Sequence, residues 1–229
     1  MRFRFNKRPA NSRGQVNGND RRLFLEPLED RRLLSAVSFP TPLEAVEPLG
    51  SLVYETSASE TIATAGDSDT FDVNLDSGQT ITLVVRPDAG LTASVELRDP
   101  AGSLLDDATG SGSGSAVVLQ TISTTDAGNY IATVTGAGGT TGEFSIDLIL
   151  NAAVELEEYG GADNNALASA QDLDEAFIGI GPGQAERAAV LGRATPGEQV
   201  SVSSYRCTTD APRSGRGRYR STDVRTLSR

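Results

Sequence analysis

The sequence predicts an all-β domain, an antiparallel β-sandwich, set between two disordered basic ends. Three observations carry that expectation. Short segments between residues 70 and 150 alternate apolar and polar side chains, Gly, Pro, Asp and Ser turn signals separate them, and only the middle of the chain is net acidic. Trp and His are absent, Cys and Met occur once each, and Gly, Ser, Thr, Asp and Ala dominate the middle, a profile that favours strands and turns over helices.

Thr70 to Leu75 places Phe71, Val73 and Leu75 on one face, and Thr80 to Val85 does the same with Ile81, Leu83 and Val85. Asp76-Ser-Gly78 between them reads as a hairpin turn. Ala93, Val95 and Leu97 make a third strand, closed by the turn Asp99-Pro-Ala-Gly102 with Pro second and Gly fourth. The Gly/Ser run from Gly110 to Ser115 reads as a flexible loop, after which Ala116 to Ile122 is a strand. Tyr130, Ala132 and Val134 alternate, residues 136 to 142 form a glycine-rich turn, and Phe144, Ile146, Leu148 and Leu150 complete the clearest strand. Phe71 and Tyr130, at inward positions of such strands, are expected in the core.

Charge divides the chain into blocks. Residues 1 to 36 hold nine Lys or Arg against four Asp or Glu, residues 37 to 198 hold four against twenty-five, and residues 199 to 229 hold seven against two. The acidic body repels phosphate backbones and anionic lipid, so nucleic acid is excluded as its partner and divalent cations are favoured. The single cysteine, Cys207, excludes an intramolecular disulfide, and the lack of histidine excludes Ser-His-Asp and Cys-His catalysis and imidazole metal ligands. No catalytic residue is therefore expected, no resident cofactor either, and the chain reads as non-enzymatic. No apolar run reaches the 18 residues of a transmembrane helix.

Asp67, Asp69, Asp99, Asp106, Asp107 and Asp126 fall in predicted turns. Asp commonly bonds there to nearby backbone amides, which makes a structural role the default. Asp67 and Asp69 form the candidate calcium pair, because their i, i+2 spacing at the start of a strand puts both carboxylates on one side.

Two resemblances add to this reading. Leu25, Glu26, Pro27, Leu28, Glu29, Asp30, Arg31, Arg32, Leu33 and Leu34 resemble an export-associated label near the start of large surface proteins of budding bacteria, while taken alone they could form a short amphipathic helix. Asp67-Ser-Asp-Thr-Phe71, Ser77-Gly-Gln-Thr80, Val95 to Gly102 and Asp126-Ala-Gly-Asn-Tyr130 resemble, in order, the landmarks of the bacterial pre-peptidase C-terminal domain. That resemblance implies a jelly-roll-like sandwich of the kind appended to secreted proteases or repeated in surface proteins. Glu157 to Leu173 is similar to the acidic lead-in of such a module, including a short Ala-rich helix capped by Asn164 or Asn165, as if a second copy began there.

The expected organisation is a basic export-associated segment (1–36), a Pro-rich linker (37–54), the sandwich (55–150), the lead-in of a truncated second repeat (151–198) and a basic disordered tail (199–229). The expected protein is a monomeric, exported or cell-surface accessory module that serves as a spacer, in adhesion or in weak binding of an envelope or extracellular polymer. The alternative is a truncated or frameshifted remnant of a larger secreted protease or multi-repeat surface protein, and the tail itself reads either as an out-of-frame end or as a basic segment for an acidic polymer.

Overall fold

Ten strands build the two main sheets of the computed structural model, which describes residues 36–48, 50–164, 169–180, 185–192 and 205–207. In chain order they are β1 (Ala36–Ser38), β2 (Glu44–Ala45), β3 (Tyr54–Ile62), β4 (Ser68–Leu75), β5 (Thr80–Pro87), β6 (Ala93–Arg98), β7 (Leu104–Thr109), β8 (Val117–Ser123), β9 (Gly128–Gly136) and β10 (Gly142–Leu150). One sheet has the order β1-β4-β9-β6-β7 and the other β2-β3-β10-β5-β8. Pairing is antiparallel except where β1 runs parallel to β4. From β3 to β10 each connection crosses between sheets except the β6–β7 hairpin, which is the jelly-roll wrap.

That wrap corrects one expectation. Asp76-Ser-Gly78 does not close a hairpin, because β4 and β5 belong to different sheets. Gly78, in the left-handed region at φ 83°, donates its N–H to the carbonyl of Thr124, and Thr124 Oγ1 accepts the N–H of Gln79. The turn is thus held by the end of β8 rather than by a ladder of its own. Asp99 to Gly102 does turn a hairpin: the Gly102 N–H reaches the Asp99 carbonyl, and the Asp99 carboxylate accepts the N–H groups of Ala101 and Ser103. The Gly110–Ser115 run is tied at both ends, Gly110 donating to Ala93 and Gly114 to Leu91.

The inward faces of both sheets form one core that includes Phe71, Ile81, Leu83, Leu97, Leu119 and Ile146, each no more than 1 % exposed. Phe71 packs edge-on against Phe144 with ring centroids 6.0 Å apart and lies 5.4 Å from Phe39. Tyr130 is buried among them, its hydroxyl donating to the Asp126 carbonyl at 2.7 Å, a way of satisfying the polar end of a core ring.

Residues 37–54, expected as a linker, supply Phe39 to that core and β1 and β2 to the sheet edges. Prolines 40, 42 and 48 stand beside these very short strands, the edge positions where a missing N–H costs nothing. Beyond β10, Asn151 is held at φ 63°, its Oδ1 accepting the Thr80 N–H and its Nδ2 donating to Leu52. The chain then crosses the outer face of the second sheet. Val154 and Ala189 join outward-facing Val84 and Ile149 in a second apolar cluster, with Val118, Leu156 and Tyr159 against it. Ala153–Val154 pairs in parallel with Val190–Leu191. Gln120 accepts the Val154 N–H, while Gln171 donates to the Val154 carbonyl and accepts from the Leu156 N–H. Both glutamines add side-chain rungs to this two-residue ladder.

Among the described residues no α-helix forms. The ends expected to be disordered, apart from residues 36 and 205–207, the 25–34 motif with the amphipathic helix expected there, Asn165 and residues 166–168 of the expected Ala-rich helix lie outside the described residues, and Cys207 is described as part of a three-residue strand, Tyr205–Cys207.

Candidate functional site

Alternation on β10 turns Glu143, Ser145 and Asp147 outward, away from the core that takes Phe144, Ile146 and Leu148. Across the ladder Thr61, Ser59 and Ser57 of β3 stand opposite them, and Arg86 of β5 faces Ser145 from the other side. The next outward residue, Ile149, is buried under the segment that follows β10. One half of this sheet face is therefore apolar and roofed, and the other half is polar and open.

The open half carries two shallow hollows. The first, of about 450 Å³, is lined by residues including Ser59, Arg86, Asp88, Glu143 and Ser145. The second, of about 420 Å³, is lined by residues including Pro40, Pro42, Glu44, Glu55, Ser57 and Asp147. Arg86 lines the first and Asp147 the second, and the two form an ion pair. Arg86 also donates to the Tyr159 hydroxyl at 3.0 Å and lies 5.2 Å from the centroid of that ring, a cation–π contact that fixes the guanidinium at the wall. Partial burial pulls the guanidinium pKa down, but the hydrogen bond and charge of Asp147, with Tyr159, hold it above its ordinary value. Glu44 and Glu55 occupy directly opposed register positions on β2 and β3, both exposed, an arrangement in which like charges repel.

Asp67 and Asp69 lie at the other sheet, where the chain enters β4. The Asp67 carboxylate accepts the N–H groups of Ala63 and Ser68, each at 3.1 Å, and so organises the turn. Asp69 takes the inward register of Phe71, and its Oδ2 is sealed without a hydrogen-bond partner. Burial first, then the negative charges of Glu60 and Asp67, raise its carboxyl pKa. Among the described residues, no three or more Asp, Glu, His or Cys side chains are grouped as a metal ion requires. Asp99 caps its own turn, Asp106 accepts the N–H of Asp107, and Asp126 accepts from Thr125. Glu157 accepts the Asn164 N–H. Phe71 and Tyr130 are core side chains.

The groove was not anticipated. Its β10 wall was visible as Glu143, Ser145 and Asp147 at alternate positions, but Tyr54 to Ile62, with Ser57, Ser59 and Thr61 on its outward side, has too few apolar residues to announce a strand.

A family model described as "Planctomycete extracellular" matches residues 19–38. No curated protein matches the chain. Among solved structures, the chain is similar to the pre-peptidase C-terminal domain of a collagenase from Bacillus anthracis, at 14 % identity and TM-score 0.34, over 41 % of this chain and 88 % of that one. It is also similar to PliG of Salmonella Typhimurium, a periplasmic inhibitor of g-type lysozyme, at 17 % identity and TM-score 0.31, over 42 % and 90 % of the two chains. A third similar structure is that of Bacillus endospore appendages, disulfide-linked pili, at 14 % identity and TM-score 0.30, over 42 % and 86 %. Among the described residues no helix is long and apolar enough to cross a membrane.

Proposed function

We propose that this chain is an exported, non-catalytic accessory protein of the cell surface or extracellular space, whose sandwich holds a hydrated polymer weakly in the groove along β3 and β10. The observation that carries the reading is the open polar half of the second sheet, where hydroxyls and carboxylates line two hollows in series. Polar, exposed grooves of this kind suit ligands that keep much of their water. The match of residues 19–38 to a family of extracellular proteins supports export. The histidine-free sequence supports a binding role over hydrolysis.

The test is a glycan array and an envelope-fraction pull-down with residues 36–192, which keep Phe39 in the core and the roof over Ile149. Binding that a Ser145→Tyr variant abolishes is the expected result. Folded protein with no partner in either assay would leave the sandwich as a spacer only.

A second reading, a remnant of a longer repeat protein, rests on the lead-in signature at Glu157 to Leu173. Genomic sequence downstream of codon 198, read in all frames, decides it: absence of further module-like sequence removes that reading.

A further inference from the structure

Resting on the binding role proposed above, we infer that the groove takes a cationic amino-sugar polymer rather than a neutral or anionic glycan. Its charge is one-sided. Among the described residues, Glu44, Glu55, Glu60, Asp88, Glu143 and Asp147 line the two hollows, against one cation, Arg86, which is already engaged by Asp147 and Tyr159. Phosphorylated, sulfated or uronic-acid chains are repelled by that field, to which Glu44 and Glu55 add as like charges facing each other in register. A sugar ammonium placed between them relieves the repulsion, which a neutral sugar cannot do, and gains two hydrogen bonds in which donor and acceptor are both charged.

The floor suits the rest of such a chain. Ser57 and Ser59 on β3 and Ser145 on β10 offer hydroxyls that both donate and accept, matching sugar hydroxyls. Along β10 the open row from Glu143 to Asp147 covers roughly 13 Å at about 3.3 Å per residue, long enough for two sugar rings in line. The Tyr159 face is occupied by the Arg86 guanidinium, so polar and ionic contacts, not ring stacking, set the affinity.

The experiment is isothermal titration of the full chain with a fully deacetylated glucosamine hexamer, its N-acetylated counterpart and a galacturonate hexamer, near pH 6 where amines of ordinary pKa are charged. The Ser145→Tyr and Glu44→Gln/Glu55→Gln variants run in parallel. Expected are binding of the deacetylated hexamer that weakens with added salt, loss of that binding in Ser145→Tyr, and a drop of about fivefold to tenfold in the double variant. The double variant removes a like-charge pair, so its melting temperature stays level or rises and the loss cannot be assigned to unfolding. The inference is overturned if the deacetylated hexamer does not bind, if its binding ignores Ser145→Tyr, or if Ser145→Tyr abolishes galacturonate binding, which would place an anionic chain in the groove. If only the N-acetylated hexamer binds in a Ser145→Tyr-sensitive manner, the binding role stands and the charge preference falls.

Discussion

The two sheets share one core, yet they treat their outer faces differently. In the first sheet β6 alternates buried and half-exposed residues along its whole length, and the outward side of its neighbour β9 carries Thr133 and Thr135. In the second sheet six consecutive residues of β5, Thr80 to Val85, are all buried, because Val84 is covered from outside by the segment beyond β10. A strand buried at alternate positions needs one partner layer, and a strand buried at every position needs two. Thr82 shows how the second layer is tied down: its hydroxyl donates to the Ala152 carbonyl at 2.7 Å and accepts the Thr121 N–H at 3.1 Å.

The strongest way to break this contrast is to remove the roof. A chain ending at Ala152 leaves Val84, Val118 and Ile149 in water, and a loss of at least about 3 kcal/mol is expected from several apolar side chains returned to solvent. Urea unfolding of 36–152 against 36–192 measures it, and equal midpoints would show that residues 153–192 add nothing to the sandwich.

Single substitutions sharpen the same point. Ile149→Ala, outward on the second sheet, should cost about 2–3 kcal/mol, whereas Thr133→Ala, outward on the first, should stay within about 0.5 kcal/mol. Similar values for the two would mean that the outer faces are equivalent.

A smaller effect distinguishes the inward side of the first sheet. The Asp69 pKa is raised in the fold, so the protonated form is the one favoured there; its stability contribution is full below the ordinary carboxylate pKa and is lost as pH rises through the folded value. Asp69→Asn should therefore raise the melting temperature at pH 7 by about 1–2 °C, a modest figure for a carboxylate that is only partly buried, with the gain vanishing near pH 3. A destabilised Asp69→Asn at neutral pH would show that the charged form is needed instead.

The smallest effect separates Asp67 as a turn residue from Asp67 and Asp69 as a cation pair. With the Asp67 carboxylate committed to two backbone amides, calcium and chelator should give the same melting temperature at matched ionic strength. A calcium-specific rise of more than about 2 °C, absent with magnesium, would restore the pair as a metal site.

Much of this was written in the residues themselves. Phe71, Val73 and Leu75, or Phe144 to Leu150, declare both strand and inward face, since the period of two is a property of the pleat and needs no knowledge of the partner. The Asp99-Pro-Ala-Gly102 turn is equally local, set by proline's fixed φ and glycine's access to positive φ. Asp76-Ser-Gly78 shows the limit: a tight turn was legible, but whether its strands pair or part company depends on which sheet each one joins, and Thr124, far along the chain, decides that. Tertiary structure alone made a strand of Tyr54 to Ile62, whose nine rungs against β10 substitute for the apolar residues it lacks, and it alone drew Phe39 into the core. The groove belongs to the same class, because Glu44, Glu55, Arg86 and Asp147 are scattered in sequence and only the β2-β3-β10-β5 order sets them side by side. The sequence by itself therefore determined the six alternating strands between residues 70 and 150, their faces and the acidic charge of the body, which are short-range properties of residue type and spacing; the remaining strands, the pairing, the roofed half-face and the groove depend on contacts between distant segments, and only the closed sandwich decides them.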